Sequence, residues 1–381
     1  MTIKQTSLNS YVEINPEGIT KSYPHDLIEY IDISSVGTGC LVDFPKPMKL
    51  SEAPSRAKRI VRNGDTILST VRPNLRSFLY VTNANSNTIA STGFAVLRAK
   101  QNADPRFVYY AVTEPRFTGY LTNNTKGTSY PAVDSDTILR GEVPEFQLER
   151  QRRISATLSC YDDLIENNRR RIQLLEEAAR LLYKEWFVHL RFPGHEHVKI
   201  TDGVPEGWEK KNLFDVWDIS YGKNLPTKII AQTGKYPVHG ADRIIGYYSQ
   251  KNVNQSLCLI TCRGAGIGNV RRTFGPTFVT NNCFVLRPRY LPRHLRFHFA
   301  MLAMEQLNLY ELRTGAAQPQ LTLAGINHLS VVVPTLAILD FYNSFVDPLY
   351  LQADCLRWQE VQLAKARDLL LPRLMNGEVA V

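Results

Sequence analysis

The stretch RGAGIGNVRR, Arg263–Arg272, puts three glycines and three arginines into ten residues. Glycines let backbone N–H groups come close to a phosphate. The spacing, however, is G-x-G-x-G, and strand-like residues follow it where a dinucleotide loop would open a helix. A Gly-rich turn ringed by Arg263, Arg271 and Arg272, either structural or set against a DNA backbone, is the better reading. The Gly-Lys pairs at 222 and 234 lack the upstream glycine and the Ser/Thr of a Walker A loop. No Asn/Asp-Pro-Pro-aromatic run of an amino-methyltransferase occurs, and the E-x-K of Glu209-Lys210-Lys211 has no Pro-Asp before it, so it reads as a solvated charge run. His189, His195 and His197 flank the turn at Pro193-Gly194, and Cys258 and Cys262 stand close together, but neither set supplies four ligands for a closed zinc site. A Ser/His/Asp set is defined by geometry, not by order. No catalytic signature and no metal site are expected.

What must position these residues is a chain of 381 residues with a net charge of +9, long enough for two or three domains and biased toward an acidic partner, nucleic acid first. Six scattered cysteines, an N-terminus without an apolar signal core, and no apolar run near the ~18 residues of a membrane span point to the cytoplasm.

The chain repeats itself. GTSYPAV at Gly127–Val133 returns as GAAQPQL at Gly315–Leu321, 188 residues on. ILSTVRP (Ile67–Pro73) faces LITCRGA (Leu259–Ala265), pairing Arg72 with Arg263 at 191, and STGFAVLRA (Ser91–Ala99) faces NNCFVLRPR (Asn281–Arg289). VPEF at Val143 answers VPTL at Val333. Four blocks in one order, offset by about half the length, describe two complete halves. The recurring Gly-to-Pro phrase is expected to be a turn tying each globular head to its helix.

Each half ends in a helix. Ile154, Leu158, Tyr161, Ile165, Asn168, Ile172, Leu175, Ala179, Leu182 and Trp186 alternate at spacings of 4 and 3, the heptad period of a left-handed supercoil. Shifting by 191 gives Phe345, Leu349, Gln352, Leu356, Gln359, Leu363, Ala366 and Leu370, with a kink or late start expected at Pro348. Asn168 and Gln359 are polar positions that fix register at a cost in stability. The two helices are expected to pack antiparallel on each other. Leu148–Phe187 carries eight Lys/Arg and seven Asp/Glu, Ile338–Gly377 four and five, so their charges cancel and the whole +9 lies in the heads. Apolar runs at Thr66–Ser69, Phe78–Val81, Phe94–Leu97, Cys258–Ile260, Cys283–Leu286 and Leu329–Val333 predict strands, and Pro105–Leu121 and Pro292–Leu312 short helices. His189–Trp208 reads as a linker. The fold class is α+β with a pseudo-two-fold internal repeat: a mixed α/β domain over 1–147, a spacer helix over 148–190, a second domain over 191–335 and a second spacer helix over 336–381.

EYIDISSV, ILSTVRPNLRSF, GTSYP, LYKEWF, GKYPVHGADRIIGYYS, LITCRGAGIGNV, GAAQPQL and RDLLLPRLMNGEV, in that order and with the duplication, resemble the specificity subunit of type I restriction–modification systems. The resemblance covers essentially the whole chain. It implies two target recognition domains that read a bipartite site on double-stranded DNA. The paired helices would be the spacer and the docking surface for two methyltransferase (modification) subunits, and motor-nuclease (restriction) subunits would join for cleavage. S-adenosylmethionine, ATP and Mg are implied for those partners, with no cofactor bound by this chain. The first half departs from the pattern in having Tyr130 where the second has Gln318. The expected DNA contacts are Arg72, Arg76 and Lys126 in the first head and Lys223, Arg263, Arg271 and Arg272 in the second. Two other readings stay open at this point: a stand-alone nuclease or methyltransferase with degenerate motifs, and a coiled-coil scaffold whose basic heads meet RNA or acidic proteins.

Overall fold

The computed structural model describes residues 3–127, 130–264, 266–291, 293–315 and 318–381. Thr128, Ser129, Ala316 and Ala317 of the two recurring phrases, Ala265 of the Gly-rich stretch, and Pro292 lie outside these. The chain divides into two compact units, one of Met1–Arg169 with Trp358–Val381, the other of Arg170–Arg357.

In the first unit an antiparallel sheet runs in the order Val12–Ile14, Phe94–Ala99, Thr66–Ser69, Phe78–Tyr80. Thr66–Ser69 is buried along its whole length and Phe94–Ala99 over its first four residues, which suits strands covered on both faces at the middle of a sheet. A second sheet has the order Pro47–Lys49, Leu27–Ile31, Thr88–Ser91, Ala57–Ile60, with its two inner strands parallel. Gln5–Ser7 pairs with Glu142–Pro144 just before the first long helix.

The second unit repeats the plan. Its antiparallel sheet is ordered Trp217–Tyr221, Cys283–Pro288, Cys258–Thr261, Val270–Arg272. Its smaller sheet is ordered Ile244–Tyr248, Tyr236–His239, Phe278–Val279, again with one parallel pair. Glu209–Asn212 pairs with Ser330–Val333 ahead of the second long helix.

The long helices are Leu148–Tyr183 and Leu336–Met375. In the first unit, Ile154 and Leu158 share a core with Leu371, Leu374 and Met375. Further along, Arg367 meets Asp162, and Arg169 Nε donates to Glu360 Oε1 at 2.9 Å. Asn168 Nδ2 lies 3.5 Å from Gln359 Oε1, the long limit of a hydrogen bond. Rising numbers on one helix meet falling numbers on the other, so the segments are antiparallel. The second unit shows the same sense: Ile172 packs on Ala353 and Leu356, Arg357 pairs with Glu176, and Tyr183 meets Tyr342.

The buried face of the first helix includes Ile154, Leu158, Ile165, Asn168, Ile172, Ala179 and Tyr183, with Tyr161 and Leu175 half-buried, and Trp186 continues it in the π turn Lys184–Val188. The second helix departs from the 191-shifted seam. Phe345 is 48% exposed and Gln352 and Gln359 are exposed, Leu349 and Leu363 are half-buried, and only Leu356 is fully buried. In the half of the helix that lies in the second unit, the apolar residues that go inside with Leu356 are Leu339, Tyr342, Val346, Tyr350 and Ala353. The helix turns this face toward its own head, where Tyr342 and Val346 join Phe299 in the core, so the head sets the phase. Pro348 neither delays nor ends the helix; it sits inside it on an exposed position. The run Pro105–Leu121 is two helices, Pro105–Thr113 and Pro115–Asn123, because Pro115 forces Glu114 into extended backbone (ψ 140°). In the other unit the short helix is Phe297–Glu305, followed by a 3-10 turn at Leu309–Leu312.

Candidate nucleic-acid interface

Each recurring phrase closes the same hairpin. Lys126 and Ala132 exchange backbone hydrogen bonds of 2.8 and 3.0 Å, and Thr314 and Gln320 exchange two of 2.8 Å. Gly127 and Gly315 take φ of 87° and 95° there; a Cβ on Gly315 would stand 2.9 Å from Gln318 O, so glycine is required. The hairpin is tied to the end of a central strand: Val133 N–H donates to Thr70 O, and Leu321 N–H to Cys262 O, both at 2.9 Å. The phrase is thus part of each head's frame.

These bonds correct the pairing of the two halves. Ser69 N–H donates to Ser77 O and Thr261 N–H to Asn269 O, an offset of 192 rather than 191. The counterpart of Arg263 is therefore Val71, as the matching bridges Val71–Ala132 and Arg263–Gln320 also show. Arg72 corresponds to Gly264 and Arg76 to Gly268. All four have left-handed backbone, with φ of 48°, 84°, 55° and 85°. The first head places arginines where the second uses glycine, although the left-handed region costs a side chain about 1 kcal/mol or more.

The basic residues then sort by what already holds them. Arg72 is exposed, with its guanidinium 5.7 Å from the Tyr130 ring. Arg76 lies over Phe78, and Nη2 donates to Thr113 O at 2.9 Å. Lys126 reaches Asp134 at 2.7 Å but stays 78% exposed; that bond and others from Thr137 hold the Asp134 carboxyl below its ordinary range. Lys223 is exposed beside the edge of the parallel pair, its N–H bonded to Val279 O. Arg263 stacks on Tyr221 at 5.2 Å, and Nε donates to Gln320 Oε1 at 3.2 Å. Arg271 Nη2 donates to the carbonyls of Gly240 and Ala241 at 2.8 and 2.7 Å, which fixes that bend. Burial first, and then the Arg271 charge, hold the neighbouring His239 imidazole down at about 4.

Arg272 does not belong with the solvent-facing group. Its side chain is only 4% exposed, both Nη atoms engage Asp354, and Phe274, Phe297 and Tyr350 lie within 5.0 Å of its guanidinium carbon. No face is left for DNA. Its job is to join the head to the long helix. The first head makes the same joint with the parts exchanged: Arg106, from the first turn of the Pro105–Thr113 helix, lies over Tyr80 on the sheet and binds Asp163 at 3.1 Å. Asp163 and Asp354 hold matching places 191 residues apart.

Two cations outside the expected contact set, Lys235 and Lys251, approach the Tyr236 ring at 5.2 and 5.5 Å without a carboxylate partner among the described residues. The sequence signal was a lysine beside an aromatic at KYP. The exposed Glu209 pairs at 2.6 Å with Lys211, which is half-buried over the Tyr290 ring. His195 Nδ1 sits 2.8 Å from Phe192 O. Cys258, Cys262 and Cys283 are buried thiols, and burial pushes Cys262 up to about 12. Among the described residues no three His, Cys, Asp or Glu side chains gather as metal ligands, and no helix is long and apolar enough to cross a membrane.

An internally duplicated α+β chain, with two heads that share the order of their larger four-stranded sheet and are each locked to a long helix, defines the class. The model of one family, described as the type I restriction modification DNA specificity domain, matches residues 25–177 and again 205–347, and the chain belongs to that family. It is similar to the type I restriction enzyme MjaIX specificity subunit of Methanocaldococcus jannaschii, 27% identical over 346 residues, covering 85% of this chain and 79% of that one. The HindI specificity subunit of Haemophilus influenzae is 22% identical over 420 residues, covering 87% and 90%. A crystal structure of a type I restriction–modification S subunit from M. genitalium has the same fold, with a TM-score of 0.55 at 18% identity over 98% of this chain and 96% of that one.

Proposed function

We propose that the chain is the DNA-recognition subunit of a type I restriction–modification complex, working in the cytoplasm and catalysing nothing itself. Recognition domains spanning 1–147 and 191–335 each read one half of a bipartite duplex target. The helices of 148–190 and 336–381 set the gap between them. The observation that carries this reading is the duplication: the same order of the larger four-stranded sheet, the same hairpin and an Asp-held joint occur once in each unit.

Lysines and arginines neutralise phosphates and position each head, while side chains that reach the major groove specify bases. Arg72, Arg76, Lys126, Lys223 and Arg263, joined by Lys235 and Lys251, supply that contact set. Arg271 positions the bend beside it, and Arg272 is structural. Each long helix also exposes apolar side chains, Leu164, Leu174 and Leu181 on one and Leu351, Trp358 and Leu369 on the other. Such surface fits the docking of two methyltransferase subunits, with S-adenosylmethionine, ATP and Mg held by the methyltransferase and motor-nuclease partners.

The test is selection from randomised duplex DNA by the chain assembled with its co-expressed modification subunits. Two enriched half-sites at one fixed gap are expected, and no methyl transfer from labelled S-adenosylmethionine by the chain alone. A single contiguous site, or turnover without partners, would overturn the reading.

A further inference from the structure

Arg263 is held on two sides and open on the third. Its backbone is pinned: Cys262 N–H donates to Asn282 O at 2.8 Å, Arg263 N–H reaches the same oxygen at 3.2 Å, and Leu321 N–H caps Cys262 O. Its Nε is committed to Gln320 Oε1, and its guanidinium lies over Tyr221. Both holders are themselves fixed, Gln320 by its paired backbone bonds to Thr314 and Tyr221 by an edge contact at 4.8 Å with the buried ring of Phe284. The end of the fork that carries Nη1 and Nη2 has no hydrogen bond and no carboxylate within 4 Å among the described residues. Arginines elsewhere in the heads, such as Arg98, Arg106 and Arg272, are spent on acids.

We infer that Arg263 is the base-reading arginine of the second head, donating through Nη1 and Nη2 to O6 and N7 of a guanine in the major groove. The inference rests on the DNA-recognition reading above and names one residue and one base within it. Guanine alone offers two acceptors on that edge; adenine offers an acceptor and a donor, which a fork with donors only cannot satisfy. A contact that only neutralises phosphate needs no lock, and the exposed Lys223, Lys235 and Lys251 serve it. A contact that discriminates gains from a guanidinium already oriented, because less freedom is lost on binding. The first head has Val71 in this place, and the guanidinium of the adjoining Arg72 lies 5.7 Å from the Tyr130 ring with no side-chain hydrogen bond among the described residues. That head therefore reads its half-site by other means, and Arg263 acts on one half-site alone.

The test compares wild type, R263A, R263K and Q320A, each assembled with the modification subunits, by selection on randomised duplexes and by binding to the selected site. In R263A and R263K, one guanine of one half-site loses its preference by about tenfold to a hundredfold, with every other position and the second half-site intact. R263K holds the charge and so retains more of the overall affinity. Q320A, which frees the fork without removing it, relaxes the same guanine by less. Uniform weakening at all positions, or an unchanged guanine preference in both R263K and Q320A, would overturn the assignment. Because Q320A leaves the arginine and its strand in place, an unfolded R263A would not leave the question open. A wild-type assembly that enriches no site would instead sink the recognition reading, and the assignment with it.

Discussion

The two heads reach one architecture with different parts. In the first, the joint to the long helix takes its cation from a helix and its ring from the sheet, Arg106 over Tyr80. In the second, the cation comes from the sheet and the ring from a helix, Arg272 over Phe297. Both cations end on an aspartate at the same place in the helix, which is therefore the fixed element. The turn after the central strand differs in the opposite sense: its left-handed backbone is kept while Arg72 and Arg76 stand in for Gly264 and Gly268. Geometry survives duplication where packing demands it, and residue identity is free to drift where only charge or contact is needed.

The exchange at the joint should be unequal in energy. Arg272 is 4% exposed and Arg106 31%. R272A should cost its unit about 2–3 kcal/mol in denaturant unfolding, because it empties a buried space among Phe274, Phe297 and Tyr350, while Asp354, 39% exposed, keeps Arg357 at 3.0 Å. R106A should cost about 1 kcal/mol or less. Equal losses would break the comparison.

A second difference is acid sensitivity. His239 occupies the place of Ile31, each pairing with the neighbouring parallel strand. Its imidazole is held at about 4 against an ordinary 6.5, so the folded state binds fewer protons between those values. Stability is whole above about pH 6.5 and falls as pH drops toward 4, by up to about 3 kcal/mol in the second unit. The His239→Ile variant, which copies the first head, should flatten that decline when unfolding is followed across this range. An unaltered acid limb would remove His239 as its cause.

Much of this was legible. Strands such as Thr66–Ser69 and Cys258–Thr261 are short apolar runs bounded by turn residues, and the repeat offset exposed the duplication. What was hidden has a physical reason in each case. A 191-residue shift carries the phase of the first helix onto the second, but Tyr342 and Val346 answer to Phe299 in their own head. Arg272 looked like its neighbour Arg271 because nothing local shows an aspartate 82 residues away. The clue lay in Asp163 and Asp354 matching at 191, so that each head had to send one cation there. The one-residue slip that paired Arg72 with Arg263 came from matching letters where the hydrogen bonds match Val71.

Smaller effects sharpen the turn comparison. G268A should destabilise by about 2 kcal/mol, since φ is 85° and a Cβ would stand 2.9 Å from the Tyr310 nitrogen. R72G should change stability by less than about 1 kcal/mol, relief of left-handed strain offsetting the freer unfolded chain. Its DNA affinity should nevertheless fall and the salt dependence of binding should flatten. Full affinity in R72G would reassign that arginine to the fold.

In the proposed complex the helices act as the ruler between two readers. Adding one heptad to each, beside Asn168 and Gln359, keeps the antiparallel seam in phase and lengthens it by about 10 Å. Selection on randomised duplexes should then return both half-sites unchanged with a gap longer by about three base pairs, at 3.4 Å per step. An unchanged gap, or half-sites rewritten by the insertion, would contradict it.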